Sequence, residues 1–358
     1  MAEARVIPLH GADREGPRRR RAAEHAPAPT PVVVPELAVS EQSVSEPVAS
    51  GSSVSEPSEP SVSETEPVVS ESGGERAREG WEQRLAEVLA FARRRIQGDY
   101  EVDEFGFDPD LTDNVLMPPL KPLYEKWFRV ETIGMHNVPG EGGALIVANH
   151  SGTLPLDATM TAYAVRADHP KRRHLRMLGA DLVFKTPVLG ALARKSGQTL
   201  ACNPDAERLL RSGELVGVWP EGFKGIGKPF KDRYKLQRFG RGGFVSAALN
   251  TGVPIIPCSI VGAEEIYPKI GDIKALARLF GFPYFPVTPV FPLLGPLGAI
   301  PLPSKWYIEF GEPIRTDVYG EHAADDPMLV FNLTDQVRET IQQTLYRLLT
   351  QRRNVFLG

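Results

Sequence analysis

The chain has 358 residues, of which 42% are hydrophobic, and a formal net charge of −4 at pH 7. This length and composition provide a sizeable apolar core, which argues against a fibrous or purely structural protein. The net charge is too small to attract any class of partner by itself, and we expect no nucleic-acid partner. Two cysteines, Cys202 and Cys258, are too few for a disulfide framework and predict a reducing compartment.

Residues 1–74 are rich in Ser, Pro, Glu and Val and repeat the string SVSEP at residues 43–47 and 53–57. Such a segment buries too little apolar surface to offset its chain entropy, so we predict a disordered tail. Its first residues lack the apolar run that a signal peptide needs. Its basic run, Arg18 to Arg21, is given no role.

Residues 75–128 form a predicted amphipathic helical segment. Its first part has apolar residues at helical spacing, namely Trp81, Leu85, Val88, Leu89, Ala92 and Ile96. A second helix is predicted within residues 116–127. Two interpretations stay open: both helices pack on the domain core, or both lie in a lipid interface with the basic face outward.

Residues 129–358 carry alternating strand and helix signals. Short apolar runs occur at residues 144–148, 176–179, 215–219, 253–260 and 306–310. Runs of this kind, separated by helix-length segments, predict an α/β fold with a mostly parallel sheet flanked by helices. A C-terminal helix is predicted with Asp335 near its start. Ligands of such sheets bind outside the carboxyl ends of the strands.

The string NHSGTLPLD directly follows the first of these runs and contains His150 and Asp157. An imidazole that titrates near neutrality, with a carboxylate to orient it, is what general-base catalysis requires. A continuous helix between the two residues would separate them by roughly 10 Å. We therefore expect Gly152 and Pro155 to break the path, so that Asp157 folds back toward His150 in the first turn of a helix.

A second string, PEGFK, follows the strand at residues 215–219 and contains Glu221, Gly222 and Lys224. The glycine permits a tight turn, the carboxylate can accept a hydrogen bond from a hydroxyl, and the lysine can pair with a phosphate. Seven cations occur within residues 224–241, from Lys224 to Arg241. Together with the glycines around Arg241 they favour a local anion site over a solvated charged loop.

These strings resemble the motifs of the glycerolipid acyltransferase family typified by bacterial 1-acylglycerol-3-phosphate acyltransferase. NHSGTLPLD is similar to the first motif, PEGFK to the third, VPIIP at residues 253–257 to the fourth, and FGRG at residues 239–242 to a short basic-glycine element. The resemblance covers roughly residues 130–315. It implies that His150 is the base, Asp157 its partner, and Glu221, Gly222 and Lys224 part of the acceptor site.

The sequence departs from the family pattern at two places. Six residues separate His150 from Asp157, where the family has four. The family's second motif carries an arginine for the acceptor phosphate, but residues 196–203 contain no arginine. The phosphate would then be held by Lys224, Arg241 and Lys185, or the acceptor lacks the usual phosphate.

Residues 279–304 carry no charge and contain seven prolines. The prolines make a transmembrane helix unfavourable, and none is predicted. Pro283, Pro286, Pro289 and Pro292 recur every three residues, which predicts a semi-rigid polyproline II flap. The flap either covers the core or faces lipid beside the acyl-chain entrance.

The resemblance implies transfer of a fatty acyl group from a thioester, either acyl-coenzyme A or acyl carrier protein, to the hydroxyl of a lysophosphatidate-type lipid. It implies no bound cofactor, and no metal cluster is evident in the sequence. We expect a cytoplasmic protein, peripherally associated with the inner face of the plasma membrane. A serine hydrolase is disfavoured because the chain has no GxSxG elbow. The alternative is a non-catalytic lipid-binding or scaffolding protein of the same fold.

Overall fold

The computed structural model describes residues 72–357. The helices are α1 Ser72–Gln97, α2 Pro109–Leu111, α3 Leu120–Pro122, α4 Leu156–Asp168, α5 Asp181–Lys185, α6 Pro187–Lys195, α7 Asn203–Arg211, α8 Phe223–Ile226, α9 Gly243–Thr251, α10 Lys274–Phe280 and α11 Pro327–Gln351. The strands are β1 Glu131–Ile133, β2 Ala144–Ala148, β3 Leu175–Gly179, β4 Thr199–Leu200, β5 Leu215–Val218, β6 Ile255–Val261, β7 Gly271–Asp272, β8 Pro286–Val287 and β9 Tyr307–Phe310.

The main sheet has the strand order β1-β9-β6-β2-β5-β3-β4, and its pairs are parallel except for the antiparallel pair of β6 and β9. The central strands β2 and β6 are buried along their whole length. Such strands are continuous apolar runs because helices cover both faces of the sheet. The predicted α/β fold class is confirmed.

Two apolar clusters fill the two faces of this sheet. One joins the sheet to α4 and includes Met160, Phe128 and Trp306. The other joins it to α7, α9 and α11 and includes Leu209 and Val245. The second cluster also holds Val337, Ile341, Leu345 and Leu348 of α11. That helix begins at Pro327 and not near Asp335 as predicted. Asp326 caps this helix by accepting a hydrogen bond from the backbone N–H of Met328 at 2.8 Å. The cap stabilises the helix because it satisfies a first-turn N–H that has no partner within the helix.

Helix α1 does not pack its apolar face on the domain core, and its predicted basic face is not turned outward at Arg94 and Arg95. Its placement in a lipid interface stays a prediction. Its apolar residues Leu85, Val88, Leu89 and Ile96 are exposed, whereas Arg94 and Arg95 turn toward the domain and pair with carboxylates of residues 108 and 110. The buried carboxylate of residue 108 needs a cation, and this ion pair decides which face of the helix turns inward. Of the predicted tail, residues 1–71 lie outside the described residues, and residues 72–74 belong to α1.

The segment between α1 and the sheet packs on the core, as one interpretation proposed for its second helix. Short α- and π-helical turns follow each other from Pro109 to Trp127. Tyr124 is buried in the first apolar cluster, and Leu120 and Leu123 pack against that cluster. Among residues 72–357, no helix is both long and apolar enough to cross a bilayer.

The proline-rich stretch does not form the predicted continuous polyproline II helix. Pro286 and Val287 form β8, which pairs with β7, and a 3-10 helix follows at Gly295–Ala299. Backbone hydrogen bonds with β7 replace the solvated backbone that polyproline II requires. Phe285 and Phe291 are half-buried and contact each other, with ring centroids 5.5 Å apart.

Candidate active site

The two predicted site loops leave neighbouring strands at the same edge of the sheet. β2 and β5 pair in parallel, with Val147 opposite Val218. His150 lies shortly after the end of β2, and Glu221 lies shortly after the end of β5. Parallel strands lie about 4.8 Å apart, so their following loops meet. The carboxyl edge of the sheet therefore holds both motifs.

His150 and Asp157 contact each other directly. The Nδ1 atom of His150 lies 2.7 Å from Oδ2 of Asp157, and the carboxylate is fully buried while the imidazole keeps 13% of its side-chain surface exposed. A carboxylate only accepts hydrogen bonds, so Nδ1 carries the proton. This tautomer leaves the Nε2 lone pair free to accept a proton from a ligand.

The chain folds back between these residues as the broken path required. Gly152 adopts a φ of +78°, a conformation that favours glycine. Asp157 lies in the first turn of α4, and its carboxylate also accepts from the backbone N–H groups of Ser151 and Ala158, each at 2.8 Å. Three donors and the helix N-terminus therefore stabilise the negative charge.

Glu221 lies behind His150 and not at an open acceptor site. Its side chain is fully buried. Oε1 accepts from the backbone N–H of His150 at 2.9 Å, and Oε2 accepts from the backbone N–H of Gln237 at 2.6 Å. The role that the resemblance implies, contact with the acceptor, is therefore not supported by this geometry. Glu221 fixes the position of the His150 backbone.

Glycines let the two loops approach each other closely. A Cβ atom at Gly225 would lie 2.8 Å from the Cβ atoms of both His150 and Glu221 and 2.8 Å from the His150 carbonyl oxygen. Only a residue without a side chain fits between the two loops. Gly222 adopts a φ of +53°, which shapes the turn that begins α8.

Lys228 is buried in an ionic cluster and does not face an anion site. Its Nζ atom lies 3.5 Å from Glu221 and 3.1 Å from Glu264. Burial raises the pKa of Glu264 to about 7, against the opposing attraction of Lys228. Two carboxylates share one ammonium here, so the buried cluster has no positive charge left for a ligand. This corrects the interpretation that counted Lys228 among the cations of an anion site.

The other predicted cations are exposed. Lys224 lies on α8, Arg241 precedes α9, and Lys185 ends α5. Lys185 forms an exposed ion pair with Asp181 at 3.4 Å. It follows β3, which lies two strands away from β2. Lys224 follows Glu221 closely in the loop beside His150, so it is the cation nearest to this site along the chain.

Two further residues hold the His150 loop and were not singled out from the sequence. The amide of Asn149 donates to the carbonyl oxygen of Ile260 at 3.0 Å and accepts from its N–H at 2.7 Å. The hydroxyl of Tyr284 donates to the Thr153 carbonyl oxygen at 2.7 Å, and burial raises the pKa of this phenol. An Asn directly after a buried strand was the available signal for the first contact.

Comparisons with known proteins agree with the arrangement of these motifs. A family model described as Acyltransferase matches residues 129–261. Uncharacterized proteins of Mycobacterium bovis and Mycobacterium tuberculosis are each 62% identical over 276 residues, covering 77% of this chain and 77% of each relative. The matched family region contains β1 to β6 and both site loops.

More distant similarities extend over part of the chain. The human protein named DGAT1/2-independent enzyme synthesizing storage lipids is 26% identical over 191 residues, which are 53% of this chain and 55% of that protein. The crystal structure of the 1-acyl-sn-glycerophosphate (LPA) acyltransferase PlsC from Thermotoga maritima is similar with a TM-score of 0.46 and 16% sequence identity, and covers 76% of this chain and 98% of that one.

Proposed function

Because this chain belongs to the glycerolipid acyltransferase family, we propose that it transfers a fatty acyl group from a thioester to the hydroxyl of a lysophosphatidate-type lipid. The observation that carries the proposal is the 2.7 Å contact between Nδ1 of His150 and the buried carboxylate of Asp157. The donor is acyl-coenzyme A or acyl carrier protein, and no bound cofactor takes part.

In the proposed reaction, Nε2 of His150 takes the proton from the lipid hydroxyl as its oxygen attacks the thioester carbonyl carbon. The new C–O bond gives a tetrahedral intermediate, and its negative oxygen accepts hydrogen bonds from backbone N–H groups of the glycine-bearing loops. The C–S bond then breaks, and the proton on His150 passes to the departing sulfur. No covalent acyl-enzyme forms.

Asp157 and Glu221 support this reaction without touching the lipid. The Asp157 carboxylate stabilises the imidazolium that forms when His150 takes the proton. Glu221 holds the backbone N–H of His150 at 2.9 Å, so the ring keeps its position while its charge changes. Both are positioning residues in this proposal.

The phosphate of the acceptor would pair with Lys224 and Arg241, and with Lys185 if the headgroup extends toward β3. Lys224 and Arg241 are exposed, so both can pair with a headgroup at the protein surface. Their replacement by Gln should raise KM for lysophosphatidate and leave kcat nearly unchanged, because it removes binding that the ground state and transition state share.

An uncharged acceptor, such as monoacylglycerol, is the second candidate. It is favoured by the ion pairs that neutralise Lys228, a buried cation that contacts Glu221, the residue that holds the His150 backbone. The relatives named for the synthesis of storage lipids point in the same direction. In this case the Lys224 and Arg241 replacements should leave KM unchanged for the acceptor that the protein prefers.

The lipid substrate and the soluble thioester meet at a membrane surface that faces the cytoplasm. We therefore propose that the protein is cytoplasmic and peripherally associated with the inner face of the plasma membrane. Fractionation of cells that produce the full chain tests this, since washing with high salt should release a peripheral protein and leave an integral one in the membrane.

The central test combines purified full-length protein with labelled acyl-coenzyme A or acyl carrier protein and a panel of lysophosphatidate, monoacylglycerol, diacylglycerol and lysophospholipid acceptors. His150→Ala should lower kcat by about 10³-fold. His322→Ala is the matched control because that imidazole is 90% exposed. Lipid binding without turnover by the unmodified protein on the whole panel would support the scaffolding alternative instead.

A further inference from the structure

Residues 279–300 form an exposed apolar surface beside the candidate active site. The stretch contains no charged residue. Its large side chains that are exposed by 49% or more include those of Leu279, Phe280, Phe282, Leu293, Leu294 and Leu297. We call these six residues the proline-rich surface, after the prolines between them. An exposed apolar patch of this kind marks an interaction site.

The proline-rich surface is held in shape before any partner arrives. Phe285 lies between Phe280 and Phe291, with ring centroids 6.1 Å and 5.5 Å away. The hydroxyl of Tyr267 donates to the Ala299 carbonyl oxygen at 2.5 Å. The stacked phenylalanine rings therefore have little side-chain freedom left to lose when this surface is buried.

Tyr284 connects this surface to both catalytic loops. Its hydroxyl donates to the carbonyl oxygen of Thr153, which lies between His150 and Asp157. Its ring lies under the Nζ atom of Lys269 at 4.5 Å, and that ammonium donates to the carbonyl oxygen of Gly227 at 2.6 Å, directly after α8. The segment that carries the proline-rich surface is therefore attached directly to the loop between His150 and Asp157.

Cations border the surface on one side. Lys274 and Arg278 are exposed and lie four residues apart on α10, which contains no acidic residue. The nearest acid along the chain, Asp272, has one carboxylate oxygen engaged with the backbone N–H of Phe285 at 2.9 Å. Exposed apolar side chains bordered by cations match the layers of an anionic bilayer, which has an apolar interior under negative headgroups.

We propose that the proline-rich surface inserts into an anionic lipid bilayer and holds the opening of the active site against it, an inference that rests on the proposed function. A protein partner would require a polar rim with hydrogen-bond donors and acceptors. The exposed large side chains of the 279–300 stretch are apolar, and the charged residues of α10 are both cations. Lys274 and Arg278 pair with headgroups while Leu293, Leu294 and Leu297 enter the acyl region.

The first test measures sedimentation of the full-length protein with vesicles of phosphatidylcholine alone and of equal parts phosphatidylcholine and phosphatidylglycerol. Replacing Leu293, Leu294 and Leu297 together by Ser should weaken binding to both kinds of vesicle by about tenfold or more, because the variant buries less apolar surface in either bilayer. Replacing Lys274 and Arg278 by Gln should weaken binding only to the vesicles that contain phosphatidylglycerol. This loss should become smaller as salt is added.

The matched control replaces Met328 and Phe331 by Ser. These side chains are 65% and 61% exposed. They lie on α11, which packs on the face of the sheet that α4 does not cover. The control should bind vesicles like the unmodified protein. Unchanged binding by the triple leucine variant would overturn the proposal, as would an equal loss in the control. The proposal would also be overturned if the unmodified protein forms a dimer and does not bind vesicles while the triple leucine variant is a monomer. The occupant of the surface would then be a second copy of the chain.

A second test separates this inference from the proposed function. Acyl transfer is measured with the acceptor in vesicles and with the same acceptor in detergent micelles at saturation. The triple leucine variant should lose activity about tenfold on vesicles and keep it in micelles. Equal losses in both would overturn the docking role. Absence of transfer in the unmodified protein would overturn the proposed function, while the vesicle-binding result would still stand on its own.

Discussion

The imidazole of His150 can act as a base because Asp157 determines which of its nitrogens carries the proton. The Asp157 carboxylate lies 2.7 Å from Nδ1, so Nδ1 carries the proton and Nε2 does not. Asp157→Asn should lower kcat by roughly 10³-fold, since a neutral amide neither enforces this tautomer nor stabilises the imidazolium. Steady-state kinetics with the best acceptor measure this, and a KM change without a kcat change would contradict the assignment.

The space between the two catalytic loops is as important as their side chains. Gly225→Ala places a Cβ atom 2.8 Å from the Cβ atoms of His150 and Glu221. We expect an unfolding free energy lower by about 1–3 kcal/mol because the site is overpacked, and turnover reduced by roughly tenfold or more because His150 is displaced.

Gly320→Ala is the control for that variant, because nothing lies within 4 Å of a Cβ atom at residue 320. Chemical denaturation and initial rates measure both proteins. Equal stability and equal rates for the two variants would show that the loops separate without cost.

Single residues also mark the limit of what the sequence predicts at the site. His150 and Asp157 could be named because both lie in one short string after a buried strand. The buried position of Glu221 could not be predicted, because its partners are backbone N–H groups of residues 150 and 237. Backbone partners distant in the chain leave no mark in the side-chain pattern.

At the scale of elements, the buried cluster around Lys228 ties the loop after β5 to the end of β6. Burial raises the pKa of Glu264 from 4.5 to about 7. Between these two values the folded protein holds a proton that the unfolded chain has released. The contribution of Glu264 to stability is therefore full below about pH 4.5 and is lost as pH rises through about 7.

Glu264→Gln should remove this dependence. The unfolding free energy of the unmodified protein should fall by roughly 2 to 3 kcal/mol more than that of the variant between about pH 5 and about pH 8. Urea denaturation at both values measures the difference. Glu339→Gln, an exposed change on α11, is the control and should follow the unmodified protein. Parallel curves for Glu264→Gln and the unmodified protein would contradict the raised pKa.

Strands were predicted better than the surfaces of helices. The buried strands β2 and β6 were visible as continuous apolar runs, whereas β4 has two residues and gives no such run. The pattern of α1 identified its apolar face. Whether that face is buried depends on contacts with other segments, which the pattern does not contain. The ion pair between Arg95 and Asp108, at 2.6 Å, joins residues from two segments and turned that face outward.

At the scale of the whole molecule, the sheet brings both candidate site loops together at the carboxyl edge of β2 and β5. β2 and β5 each have neighbours on both sides, so the loops that follow them begin from firmly held positions. The fold class and this edge could be predicted from the alternation of strands and helices. The proline-rich surface could not be placed beside Thr153, because the Tyr284 contact spans 131 residues of sequence.

The late position of β9 in the chain has a consequence for biosynthesis. Among residues 72–357, β1 has no neighbour in the main sheet other than β9, and Glu131 pairs with Tyr307. A ribosome makes all the residues between Ile133 and Tyr307 before this edge can close, so the nascent chain carries β1 unpaired while that stretch is translated. Synthesis of β9 both adds a neighbour to β6 and provides the first pairing for β1. The last strand made thus seals the first one, and until then that exposed edge is open to pairing with another chain.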